Sequence, residues 1–167
     1  RVMKTDAAKR AIRRGLDLNR PDEARLPLQQ AVALAPDDYQ ARAALADCLL
    51  RCGRVAEAHV EFAHALRISP ENADLHADLA GLLIQEGRWT EAIDQAQTAI
   101  RLKPGSAVAH HNLGLALVCT GRVGEAIVRF QGAARLDPTS SVFRQSLANA
   151  LGQAGRIEEA LQVYRGL

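Results

Sequence analysis

The 167 residues carry 21 basic and 19 acidic side chains, a net charge of +2 with neutral histidine. That near-balance argues against a general nucleic-acid binder, which needs a basic face. No apolar run approaches the ~18 residues of a membrane span, and Arg1–Arg14 lacks the apolar stretch of a signal peptide. The apolar fraction is 48%, yet aromatics make up only 4%. The core therefore has to be built from Ala, Leu, Val and Ile in thin layers between closely spaced helices.

Pro36, Pro70, Pro104 and Pro138 stand 34 residues apart, and the register between them holds without insertion or deletion. Counting position 1 three residues after each proline gives repeats at 5–38, 39–72, 73–106, 107–140 and a truncated 141–167. Position 7 is Leu45, Leu79, Leu113 and Leu147, and position 11 is Leu49, Leu83, Leu117 and Leu151, an apolar stripe at helical spacing. Position 15 is Gly53, Gly87, Gly121 and Gly155, with Asn19 in the first repeat. These residues tolerate the left-handed backbone that ends a helix. Position 16 is Arg in all five repeats and reads as a solvated turn residue near the last carbonyls of the first helix. Position 19 is Glu throughout, in the first turn of a second helix, where negative charge suits the dipole. Alanines at positions 20 and 27 let helices approach closely. Asp38, Asn72, Ser106 and Ser140 are the residue types that cap the start of the next helix.

Taken in chain order, the first repeat is the least regular. Its first helix bears Lys4, Lys9, Arg10, Arg13 and Arg14, either a solvated face or a contact for an acidic partner. Gly15 stands where a large apolar residue is usual. Pro21 opens the second helix at no cost, and Pro27 is expected to kink that helix or delay its start. In the second repeat Cys48 and Cys52, four apart, share a helix face and read as small buried or half-buried residues. His76 and His110 both occupy position 4; a two-histidine metal site is imaginable there, but no further ligand joins them, and no metal or other cofactor is expected. His110 and His111 point in two directions, and Gly114 falls mid-helix as a close-packing residue. In the last repeat, Leu161 and Tyr164 are left at an open apolar edge. Either the parent chain continues past Leu167, the reading preferred here, or that edge pairs with something, another copy included.

Six columns in register resemble the tetratricopeptide repeat family over almost the whole chain. The resemblance implies an all-α, right-handed superhelical solenoid forming a single array over residues 1–167, and a binding module rather than an enzyme. In the family the first helix of each pair lines a concave groove at positions 2, 5, 6, 9, 12 and 13. Carried over, the peptide-binding groove is expected to include Gln40, Ala43, Asp47, Asp74, Asp78, His111, Asn112, Leu115, Gln145 and Asn149. The same positions add Val118, Cys119, Ser146 and Gln153. The groove is then basic at its start, acidic at Asp47, Asp74 and Asp78, and neutral and partly apolar towards its end. Ala43, Ala77 and Gly81 would leave room for a ligand backbone.

The expected function is a scaffold or adaptor that binds a segment of a partner protein, with no nucleic acid and no membrane involved. The clamp for chaperone C-terminal tails is not matched: Arg13, Ala44, Asp74 and Asp78 stand where Asn, Asn, Lys and Arg belong. Two alternatives remain. One is the substrate-recognition arm of a larger transferase, either O-GlcNAc-transferase-like, as the position of Asn112 suggests, or a sulfotransferase. The other is self-association through the uncapped end. Free thiols point to a cytoplasmic location, with the periplasm as the alternative.

Overall fold

The computed structural model of the protein describes residues 2–17 and 20–166, with side chains at 6–14 and 20–166. The expectations for Lys4, Gly15 and Asn19 fall outside the described side chains. Among the described residues there are ten α-helices and no strand. In chain order they are α1 (Val2–Asp17), α2 (Pro21–Leu34), α3 (Tyr39–Arg51), α4 (Val55–Ile68) and α5 (Ala73–Gln85). Then come α6 (Trp89–Leu102), α7 (Ala107–Cys119), α8 (Val123–Leu136), α9 (Ser141–Gln153) and α10 (Ile157–Arg165). Contacts divide the chain within α5 into two compact units, Arg1–Leu75 and His76–Leu167.

The turn inside each pair is built the same way in both units. Gly53, Gly87, Gly121 and Gly155 have φ of 75°, 74°, 78° and 76°, and no other residue described has positive φ. The Arg after each glycine donates its backbone N–H to the position-11 leucine carbonyl, as Arg122 does to Leu117 at 2.8 Å. The glycine N–H returns to the carbonyl three residues back, Gly121 to Val118 at 3.0 Å. These two bonds satisfy carbonyls that the helix end would leave unpaired.

The side chain of the same Arg then turns forward. Arg54 Nε lies 2.6 Å from Glu57, Arg122 Nε 2.8 Å from Glu125, and Arg156 Nε 2.6 Å from Glu159. Arg20 and Arg88 pair with Glu23 and Glu91 in the same manner. The position-16 arginine is thus not a merely solvated turn residue. It stands at the N-cap of the second helix, makes no side-chain cap bond of its own, and is held by the Glu three residues on. The pairing keeps the Glu125 and Glu159 carboxyls below their ordinary range, chiefly through the hydrogen bond from Arg.

The starts of the first helices are capped as their residue types dictate. Asp38 accepts from the N–H of Gln40 and Ala41, Asn72 from Asp74 and Leu75, Ser106 from Ala109, and Ser140 from Phe143. The second helices end at a residue whose N–H still reaches back four, Ser69 to Ala65 and Asp137 to Ala133. The following proline stops them.

In the first unit α2 runs unbroken from Pro21 to Leu34, so Pro27 does not delay its start. Ala24, Leu28 and Ala31 on either side of Pro27 are all buried, and their shared apolar face holds the helix through the missing N–H. Throughout, the alanines at positions 20 and 27 and the leucines at positions 7 and 11 are buried. Ala77, Ala99 and Ala109 meet in one small cluster where α5, α6 and α7 come together. Gly114 of α7 marks the tightest approach: a Cβ there would sit 2.5 Å from the Phe130 ring of α8.

Candidate functional site

In the first unit, α3 exposes Gln40 and Asp47 with Ala43 half-buried between them, and Asp74 is exposed in the first turn of α5. The basic side chains Lys9, Arg10, Arg13 and Arg14 are exposed on α1. The thiol of Cys48 on α3 and that of Cys52, which caps its end, face α2: Cys48 Sγ lies 3.1 Å from the Pro21 carbonyl oxygen and Cys52 Sγ 3.7 Å from Asp22 Oδ1. Burial and the neighbouring Cys52 push the Cys48 thiol up to about 11, the protonated state of a packing residue.

In the second unit two of the ten expected groove residues, Leu115 and Asn149, line one cavity. On α7, residues 108, 112, 115 and 119 share one stripe at helical spacing. On α9, residues 142, 146, 149 and 153 do the same. The structure places an open cavity of about 420 Å³ against these stripes, lined by Leu115, Val118, Phe130, Ser146, Asn149, Ala150 and Gln153. Its lining holds no charged side chain. Val108 and Val142 are exposed at the other end of the same two stripes, and Gln145 is exposed beside them.

Three groove assignments change in detail. His111 is buried, only 9% exposed, and is a wall rather than a contact surface. Its ring lies between Phe130 and Phe143, with centroids at 5.5 and 4.9 Å, and its Nε2 is 2.9 Å from Ser146 Oγ. Burial lowers its pKa below the ordinary value. Asn112 commits its amide to the protein: Nδ2 donates to the Ala77 carbonyl of α5 at 2.9 Å. That amide fills the space at Gly81, where a Cβ would lie 3.3 Å from Nδ2, and Ala77 is buried. The room expected for a ligand backbone at Ala77 and Gly81 is therefore taken. Asp78 is exposed on α5.

Phe130 and Ala150 are not among the expected groove positions, because one comes from a second helix and the other from the packed side of α9. A signal exists: Gly114 and Phe130 fall in the same repeat, and a missing side chain opposite a large ring lets the ring reach the groove side. At the cavity rim, Tyr164 of α10 donates its hydroxyl to Asn149 Oδ1.

Other candidate chemistry is absorbed by packing. His76 Nδ1 is 2.7 Å from Gln95 Oε1, and His110 Nε2 is 3.0 Å from the Pro104 carbonyl oxygen. Among the described residues, no group of three or more His, Cys, Asp or Glu could hold a metal ion. None of the described helices is long and apolar enough to cross a membrane.

PilF of Pseudomonas aeruginosa superposes with a TM-score of 0.88 at 24% identity, over 98% of this chain and 76% of that one. TTC0263, a thermophilic tetratricopeptide protein of Thermus thermophilus, superposes at 0.83 with 24% identity, over 95% and 89%. YrrB, described as a tetratricopeptide protein with an unusual peptide-binding site, superposes at 0.67 with 22% identity, over 89% and 76%. A search of curated proteins found no match. The sequence profile of the tetratricopeptide repeat matches residues 15–64 and 53–117. This chain belongs to the tetratricopeptide repeat family.

Proposed function

We propose that the chain is one array of repeats over residues 1–167 that binds a segment of another protein along its first helices, as a non-enzymatic scaffold or adaptor. The observation that carries this is the open cavity between α7 and α9 of the second unit, uncharged and partly apolar. YrrB supports it as a relative in fold described as having a peptide-binding site. Leu115 and Asn149 are the contact residues in the cavity and Gln145 an exposed one further along α9, while His111 and Asn112 are engaged within the protein. Asp47, Asp74 and Asp78 would select for a basic segment rather than supply most of the affinity, with Gln40 and Ala43 as uncharged contacts beside them.

Photo-crosslinking tests this reading. A benzophenone amino acid replaces Gln145 or Gln40, and the chain is irradiated in native extract. One protein crosslinked at both positions, and displaced by excess unlabelled chain, is the expected result. Crosslinks that no unlabelled chain displaces would sink the reading.

A second reading, self-association, has its own observation. Ile157, Leu161 and Tyr164 are 54%, 43% and 43% exposed on one face of α10. The same positions in α8, Val123, Ile127 and Phe130, are half-buried or buried. Sedimentation across a hundredfold concentration range decides it: a constant monomer mass rejects it. The transferase-arm alternative rested on Asn112, whose amide is used internally, and it gains no support.

A further inference from the structure

Away from the groove, where α3 packs against α2, two thiols are held together. Cys48 stands in the last turn of α3 and Cys52 is its C-cap, and the N–H of Cys52 still donates to the Cys48 carbonyl at 3.1 Å. The two side chains are therefore one helical turn apart on one face. Both turn onto the start of α2 and meet consecutive residues there. Cys48 Sγ donates to the Pro21 carbonyl, and Cys52 Sγ lies against the Asp22 carboxylate. The pair is close enough to interact, since the Cys48 thiol is pushed up by burial first and by Cys52 second. Cys48 is 3% exposed and Cys52 half-buried, so one sulfur is shielded and solvent reaches the other.

The spacing sets what the pair holds. Side chains one turn apart on a helix have Cβ atoms about 5–6 Å apart. A direct disulfide wants about 3.5–4.5 Å, so joining the sulfurs directly would pull the helix end out of shape. One atom inserted between them takes up the difference. A structural zinc needs about four ligands, and among the described residues no group of three or more His, Cys, Asp or Glu could hold a metal ion. The centre that fits takes two sulfurs from the protein and completes its valence with a group of its own. Trivalent arsenic does this: it forms two As–S bonds and keeps its third substituent. Its hydroxides are uncharged near neutral pH. The Asp22 carboxylate beside the outer sulfur opposes an anion such as arsenate or phosphate, and Arg51 and Asp47 offset one another beside Cys48.

We propose that Cys48 and Cys52 form a chelating dithiol site for a trivalent arsenical, bridged across the last turn of α3. The site lies outside the groove and does not depend on peptide binding. The half-buried Cys52 bonds first and Cys48 closes the ring. Each As–S bond replaces an As–O bond, and the two thiol protons leave with the two hydroxyls as water. Arsenic stays trivalent throughout, so no oxidant or reductant takes part. The second bond forms within one molecule, and that high effective concentration separates the pair from the single exposed thiol of Cys119.

Phenylarsine oxide, a dihydroxide in water, is the probe, and native mass spectrometry of the reduced whole chain is the readout. The expected result is one phenylarsenic per chain in place of two hydrogens. It survives gel filtration in excess mercaptoethanol and is stripped by the vicinal dithiol dimercaptopropanol. Amide resonances of Asp22, Cys48, Cys52 and Gly53 shift, and those of α7 and α9 stay. Cys119→Ser keeps the adduct. Cys52→Ala weakens it at least tenfold, and this half-buried position tests the site even should Cys48→Ala misfold.

An adduct that mercaptoethanol strips from the parent chain, or that Cys52→Ala retains unchanged, overturns the proposal. So does one that appears only as the helical circular dichroism is lost, because an opened chain then holds the arsenic.

Discussion

Gly114 shows how little space the second unit leaves. With Phe130 at 2.5 Å from a built Cβ, and the ring itself buried, Gly114→Ala has to move the ring or the helix. A loss of about 1–3 kcal/mol is expected, the usual cost of overfilling a packed site. Urea titration reads it, and an unchanged midpoint would mean that the ring swings aside freely. His111 carries a pH signature. Its folded pKa lies below the ordinary 6.5 because burial disfavours the cation. The unfolded chain therefore takes the proton first as pH falls, so stability is held above about 6.5 and declines below it. His111→Leu should flatten that part of the stability curve between about pH 7.5 and 5. A variant as acid-sensitive as the parent would place the effect on another group.

Elements are separated by backbone chemistry that two neighbouring glycines of one turn isolate. Gly121 has φ +78° with no atom within 4 Å of a built Cβ, so only backbone strain opposes a side chain there. Gly121→Ala is expected to cost about 1–2 kcal/mol. Gly124, three residues on inside α8 and equally open, should give the reverse: Gly124→Ala gains up to about 1 kcal/mol from helix propensity. Thermal melts of the two single variants check both signs together. Much at this scale was legible in the sequence. Positions 7, 11, 15, 20 and 27 each do one job inside one repeat, and position 34 caps the helix that opens the next, so a column of like residues states the job. Arg122 is exposed, as its column suggests, but its pairing with Glu125 across a helix start is not legible from either charge alone. His111, Asn112 and Phe130 are harder. Their roles depend on a neighbour one repeat away or on the depth of a second helix, and a column read down its own repeat holds neither.

For the molecule as a whole, stability in a repeat chain is a sum of units and their neighbour contacts, and it need not be uniform. Within the second unit, α8 packs against both α7 and α9 and buries Ala126, Ile127, Phe130, Gly132 and Ala133. The nine-residue α10 packs against α9 and buries only Ala160. Amides of α10 should therefore exchange with deuterium well before those of α8. Equal protection would show that Ile157, Leu161 and Tyr164 are covered in solution, as self-association requires.

The side-chain bonds that run from Asn112 to Ala77 and from His111 to Ser146 carry a consequence for how such a chain can be rearranged. By their shared columns the repeats look like identical bricks, to be duplicated, deleted or shuffled at will. These two bonds make them addressed parts instead. The fourth repeat needs a bare α-carbon at Gly81 on one side and a hydroxyl at Ser146 on the other, and the second repeat, with Ala44 and Asp47, supplies neither. A chain rebuilt with its repeats permuted would keep every column and lose its order, with the imidazole of His111 buried and unanswered.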